Sequence, residues 1–222
     1  GQARGLVTRI AGGLAHWARR LEFEPHRLRV TGTAGSGKTQ LALAEYAAAL
    51  EAARLGRKVL IVEKGDWGGT CTHRGCIPTK ALLACSRRYQ ELKTWKRLGV
   101  SAENTAFDFS AVRRHQAQMV KVSALGVRKS LQDLGVDCLE GEAAVLAPGE
   151  VEVLLPTGAT ERQHGDNIVI SWGSEVSPLP SIPFSNRIIS SDTLLQMETL
   201  PASLAVIGGG AIGVEFATFL TE

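Results

Sequence analysis

The sequence predicts an α/β protein with a central parallel sheet, an inserted β-meander and the opening of a second strand–turn–helix unit. Three observations predict it. Residues 28–31 (Leu-Arg-Val-Thr) and Lys58–Glu63 are strand-like runs joined by a helical stretch without breakers. Residues 136–171 switch to short apolar runs separated by Gly and Pro turns. Residues 204–207 (Leu-Ala-Val-Ile) form another strand-like run that ends in a glycine-rich turn.

The elements follow in order. Residues 6–20 have amphipathic helical spacing. From Lys38 to Leu55 the chain is rich in Ala, Leu, Glu and Gln, and Gly56 stops the predicted helix. Lys58–Glu63 reads as a buried strand ending on an acid. Strand, helix and strand in succession imply parallel pairing, because parallel neighbours need a crossover connection. A helix is predicted from Cys76 or Ile77 to about Leu92, and a longer one over 109–134, weakened at Gly126. A polar stretch, 99–108, separates them. Residues 136–139, 143–146, 151–155 and 168–171 are predicted strands of an antiparallel meander. Pro178, Pro180 and Pro183 mark an extended connection. The two strand–turn–helix openings, near 30 and 206, are the only internal echo.

Composition narrows the function classes. The chain has 222 residues, 44% of them apolar, as in an ordinary soluble globular protein. No apolar run reaches the roughly 18 to 20 residues that span a bilayer. His16, Arg19 and Arg20 interrupt any signal-peptide pattern, so a cytoplasmic location is expected. A net charge of +3 is too small to argue for nucleic acid. Its distribution is uneven: residues 1–50 hold seven basic and three acidic residues, the rest 18 basic and 19 acidic. Four cysteines, Cys71, Cys76, Cys85 and Cys138, are too few for a disulfide scaffold.

The close pair carries the chemistry. Cys71 and Cys76 lie in Gly68-Gly69-Thr70-Cys71-Thr72-His73-Arg74-Gly75-Cys76-Ile77-Pro78-Thr79-Lys80. Two cysteines so spaced can close a small loop. At a helix start the backbone N–H groups and dipole favour a thiolate, the form that exchanges with disulfides. Gly68, Gly69 and Gly75 let the backbone approach a flat cofactor, and Pro78 suits a first helical turn. Two buried structural cysteines are the bland alternative. The glycines, Pro78 and Lys80 weigh against it. Zinc lacks a second ligand pair of suitable spacing.

Two glycine motifs point to nucleotides. Gly208, Gly210 and Gly213 form G-x-G-x-x-G between a predicted strand and a helix, where a pyrophosphate sits on the helix N-terminus. The run from Gly32 through Gly35, Gly37 and Lys38 to Thr39 is a complete Walker A motif. Its amides can cradle phosphates, Lys38 can reach the β/γ oxygens and Thr39 can hold Mg²⁺.

From about residue 53 to 222 the sequence resembles the flavoprotein disulfide reductases, above all their dihydrolipoamide dehydrogenase branch. The resemblance implies a Rossmann-like FAD-binding domain and the opening of an NAD-binding one. It implies that Cys71 is the interchange thiol and Cys76 the flavin-proximal thiol. Lys80 would lie near flavin N5 and pair with Glu215, and Glu63 would bind the adenosine ribose. Gly69, Thr70 and Gly173 would line the flavin site, with Gly173 ending a strand where Ser171 and Trp172 replace the family's Ala and Thr. Gly208, Gly210 and Gly213 would be the NAD fingerprint. FAD and NAD are thus the implied cofactors, and a small disulfide or dithiol such as a lipoyl group the implied substrate. The family is homodimeric, and its general base comes from a C-terminal dimerisation domain that these 222 residues do not include.

The start of the chain departs from that pattern. The family has G-x-G-x-x-G where this chain has the Walker A run, with Gln40 in the place of the third glycine. Residues 28–46 instead resemble the first motif of P-loop helicases, yet Glu63 is a poor Walker B acid. His73 also replaces the family's usual Asn. Three segments are expected: a P-loop-like start over 1–50, an FAD and disulfide domain over 51–200, and the start of an NAD domain over 201–222. Three functions stand at this point: flavoprotein oxidoreductase, P-loop module binding ATP–Mg²⁺, and a fragment without turnover.

Overall fold

A computed structural model describes residues 27–32, 39–171, 173 and 175–222. The helix predicted over 6–20, the Walker A residues Gly35, Gly37 and Lys38, and Trp172 and Ser174 lie outside them. In chain order the elements are β1 (Arg27–Gly32), α1 (Thr39–Arg54), β2 (Lys58–Glu63), α2 (Gly69–His73) and α3 (Cys76–Trp95). Then come α4 (Phe109–Asp133), β3 (Asp137–Glu140), β4 (Glu142–Ala147), β5 (Glu150–Leu154), β6 (Thr160–His164), β7 (Asn167–Ser171), α5 (Ser191–Gln196) and α6 (Ala211–Thr221).

The chain divides into two compact units that interleave along the sequence: Gly1–Cys71 with Ala124–Glu175, and Thr72–Ser123 with Val176–Glu222. The boundaries fall between the two motif cysteines, within α4 and after β7.

The first unit is built on a four-stranded sheet in the order β3-β2-β1-β7, parallel throughout. β2 sits inside it and is covered on both faces, which explains its unbroken apolar run. Val59 and Ile61 point to a core with Ala49 and Ala52 of α1, Leu131 of α4 and Val136. Val62, on the opposite face, packs with Val151 and Val153 of β5. Each fully buried Val, Ile or Leu side chain among them contributes about 1.5–3 kcal/mol. Between α1 and α4, the Tyr46 and Ser130 hydroxyls hydrogen-bond at 2.7 Å.

Two predicted meander strands belong to this parallel sheet instead. β3 pairs with β2 and β7 with β1, both parallel. A short apolar run does not reveal its direction, but the helix α4 between β2 and β3 is the crossover that parallel pairing requires. The antiparallel sheet is β4-β5-β6. Its third strand, Thr-Glu-Arg-Gln-His, was hidden by polarity: as an edge strand it is mostly exposed.

The second unit is helical and holds α3, the first half of α4, α5 and α6. Its core is Leu82, Leu195, Phe216 and Phe219, flanked by Phe107, Phe109 and Val112. The Tyr89–Phe107 and Phe109–Phe219 ring centroids are 5.3 and 6.3 Å apart, within the range of favourable aromatic pairs. Side chains start its helices. Asp108 Oδ1 accepts from the N–H groups of Ser110 and Ala111 at 2.9 and 3.2 Å at the head of α4. Ser190 Oγ accepts from Thr193 N–H at 3.3 Å at the head of α5.

The predicted strand at 204–207 does not form. Val206 and Ile207 are 41% and 69% exposed, and no strand among the described residues pairs with them. A strand needs a hydrogen-bonded neighbour, so an apolar run without one does not become a strand. The helix after it, α6, forms as expected.

Candidate active site

The carboxyl edge of the parallel sheet gathers the first set of predicted residues. In open parallel sheets, ligands bind outside the carboxyl ends of the strands. Gly32 ends β1 in register with Glu63 of β2 and Ser171 of β7, and Glu140 of β3 pairs with Glu63. Gly173 follows β7 by two residues. Thr39 opens α1 after the Walker A segment.

Glu63 is an acid in a dry place. It is 6% exposed, and its Oε1 accepts from Gly65 N–H at 2.8 Å. Burial pushes its carboxyl above the ordinary carboxylate value, partly offset by the Gly65 and Lys64 amides, with Asp66 raising it further. A partner offering hydroxyl protons would repay that desolvation.

From Glu63 the chain runs to the first cysteine. Gly68 and Gly69 have φ of +107° and +58°, the left-handed region that favours glycine. The two release the chain into α2, which carries Thr70 and Cys71. Just before them, Trp67 is fastened by residues that the sequence did not mark. The Arg128 guanidinium lies 5.5 Å from its ring centre. Glu140 accepts from Trp67 Nε1 at 3.4 Å and from Arg128 at 3.0 Å.

In the helical unit, Cys76 is the first residue of α3, capped by Gly75. Thr79 N–H and Oγ1 both donate to the Gly75 carbonyl, at 3.2 and 2.7 Å. Pro78 falls in the first turn, where its missing N–H costs nothing. Lys80 is one turn beyond Cys76, on the same helix face. Lys80 Nζ and Glu215 of α6, 135 positions apart, form an ion pair. Arg74, inside the motif, pairs with Asp192 of α5 at 3.4 Å.

The second glycine motif has its local geometry. Gly208 has φ of +108°, and a Cβ on Gly213 would lie 2.7 Å from the Gly208 carbonyl oxygen. Gly210 caps α6. Gly208 thus needs its left-handed backbone, and Gly213 its lack of a Cβ. The strand that should precede them is missing, as described above.

All four cysteines are half-buried. Burial pushes the thiols of Cys85 and Cys138 up, with Arg88 and Arg128 respectively offsetting part of it.

The family model "Pyridine nucleotide-disulphide oxidoreductase" matches residues 42–222, and the chain belongs to that family. The match starts after the Walker A segment. Dihydrolipoyl dehydrogenase of Geobacillus stearothermophilus is 42% identical over 173 residues, 78% of this chain and 37% of that protein. A dihydrolipoyl dehydrogenase of Bacillus subtilis (strain 168) is 38% identical over the same shares. The chain therefore spans well under half the length of the curated relatives it matches. A solved structure of an HOCl-induced flavoprotein disulfide reductase mutant from Escherichia coli, as a Cu(II) complex, superposes with a TM-score of 0.67 at 25% identity. That match covers 89% of this chain and 40% of that one. LpdA from Mycobacterium tuberculosis shares the fold, with a TM-score of 0.64 at 22% identity over 78% of this chain and 38% of its own.

Proposed function

We propose that this chain carries the disulfide half-reaction of an FAD-dependent dithiol/disulfide oxidoreductase, similar to dihydrolipoyl dehydrogenase. The observation that carries it is Cys76 at the head of α3, five positions after Cys71, with Lys80 one turn on and ion-paired to Glu215. In this reading a substrate dithiol, such as a lipoyl group, attacks Cys71. The Cys71–Cys76 bond breaks, Cys76 takes the electron pair, and a mixed disulfide forms on Cys71. The second substrate thiol then displaces Cys71. Substrate disulfide and protein dithiol result, with two protons and two electrons accounted for.

FAD, when bound, supplies the two-electron relay between the dithiol and NAD. The residues described fit it at one end: buried Glu63 suits ribose hydroxyls, Gly69 and Thr70 lie on the path from it to Cys71, and Gly173 follows β7 at the same sheet edge. Lys80, steered by Glu215, would orient the flavin ring. Gly208, Gly210 and Gly213 would take the NAD pyrophosphate. Residues 51–200 would form the FAD and disulfide region. Homodimerisation and a cytoplasmic location belong to the same reading; among the described residues no helix is long and apolar enough to cross a membrane.

The second reading is an ATP–Mg²⁺ site at the Walker A run, favoured by the strand before it and the helix after it. One titration separates the two. The purified chain is loaded with FAD, scanned for flavin absorbance, then titrated with ATP–Mg²⁺. Retained flavin and no response to ATP are expected. ATP binding without flavin would overturn the proposal. Cys76→Ser should abolish the long-wavelength thiolate–flavin band of the reduced holoprotein. After mild reduction Cys71 should alkylate well ahead of Cys138, whose thiol burial holds up.

A further inference from the structure

Side-chain hydrogen bonds close α3, α4 and α5 into a ring around the turn that begins at Cys76. Arg74, two residues before Cys76, donates to Asp192 in the first turn of α5 at 3.4 Å. Three residues along α5, the Leu195 carbonyl accepts from Arg113 of α4. The same guanidinium donates to Gln116 Oε1, on the next turn of α4. Gln116 is 3% exposed, and its Nε2 donates to the Pro78 carbonyl at 3.4 Å, two residues after Cys76.

The ring thus grips the chain at 74 and at 78, symmetrically about Cys76. A buried amide is expensive unless both its ends are matched, and Gln116 spends one end on Arg113 and the other on the redox turn. Core packing alone would place an aliphatic residue there. Asp192 is equally specific: its side chain is 16% exposed, and its partner Arg74 lies inside the cysteine motif.

We propose that Arg74 and Gln116 are positioning residues for Cys76: through Asp192 and the Pro78 carbonyl they fix the turn on both sides of it and favour closure of the Cys71–Cys76 disulfide. This rests on the dithiol reading given above. Fixing the turn before the bond forms removes part of the entropy that loop closure would otherwise cost.

The test is an equilibrium with glutathione, using the full chain. Two glutathione thiols are oxidised to one disulfide as the Cys71–Cys76 bond becomes two thiols, so atoms and electrons balance. Samples across a range of glutathione ratios are quenched by alkylation and read by mass spectrometry. Asp192→Asn and Arg74→Met should each move the midpoint about threefold toward more oxidising buffer, the scale of a partly exposed ion pair. The double variant should move it no further than either single change. Arg74→Lys should restore part of the shift. Gln116→Leu should move it about tenfold, as a cut hydrogen bond at a buried group does. If Gln116→Leu does not fold, the Arg74–Asp192 cycle decides alone. Unchanged midpoints in folded variants would overturn the proposal. So would additive shifts that merely track a falling melting temperature. A wild-type chain with no Cys71–Cys76 disulfide at any ratio would overturn the dithiol reading itself, an outcome distinct from equal midpoints.

Discussion

Each unit is held together internally by its own means. In the sheet unit, order comes from backbone pairing: β1, β2, β3 and β7 form one parallel sheet, and apolar side chains fill both faces of β2. In the helical unit, a small cluster of Leu and Phe supplies cohesion, while side-chain polar contacts fix direction. The two motif cysteines are divided between them, Cys71 in one and Cys76 in the other. Backbone pairing sets an edge where a carboxylate such as Glu63 can be presented. Side-chain contacts set a single turn where one sulfur can be presented.

The sharpest way to break this contrast is the helical core. Leu82 is 3% exposed among Leu195, Phe216 and Phe219, so Leu82→Ala should cost about 2–5 kcal/mol. By hydrogen exchange, amides of 76–95 should lose protection while those of Lys58–Glu63 keep it. Equal loss in both would show that the units open as one.

A smaller effect is expected in the sheet unit. Arg128→Ala removes the cation over Trp67 and the Glu140 pair, at about 0.5–1 kcal/mol for a partly exposed contact. Tryptophan emission should shift in that variant but not in the same change made on a Trp67→Phe background.

Glu63→Gln sharpens the account of the sheet edge. Burial raises the Glu63 carboxyl in the folded chain, so the folded state holds that proton more tightly than the unfolded state. Its contribution is therefore most favourable below the ordinary carboxyl value of about 4.3 and is lost as pH rises through the folded value. The variant should melt higher than wild type near pH 7, with the gain vanishing at about pH 4, and should bind FAD more weakly. A melting temperature equal at both pH values would remove the argument.

The smallest effect is expected at Asp108, which is fully exposed. The Ser110 hydroxyl first, then the Ala111 and Ser110 N–H groups, hold its carboxyl below the usual value. That contribution is present above the ordinary Asp value of about 3.9 and fades as pH falls through the lower folded value. Asp108→Asn still caps α4, so it should change only the acid limb of the melting profile. A loss at neutral pH would mean that the charge itself matters there.

Much of this was legible in the residue order. Periodicity and breakers placed α1, β2, α3 and α4 to within a few residues, because helix caps, Gly stops and apolar runs act locally. The cysteine motif, Lys80, Glu215 and both glycine motifs could be named before any fold was known. What could not be read was partnership. β3 and β7 joined the parallel sheet, and 204–207 stayed unpaired, because strand pairing is decided by which segment arrives alongside. Glu63 was visible as an acid, but its burial depends on both faces of β2 being covered. Arg74 was visible inside the motif, whereas Asp192 is 118 positions away and Gln116 looks like any polar helix residue. The elements and the chemistry they carry follow from residue order, since both depend on near neighbours along the chain. Which side chains hold that chemistry in place follows from the fold, since those contacts join residues that nothing in their local sequence connects.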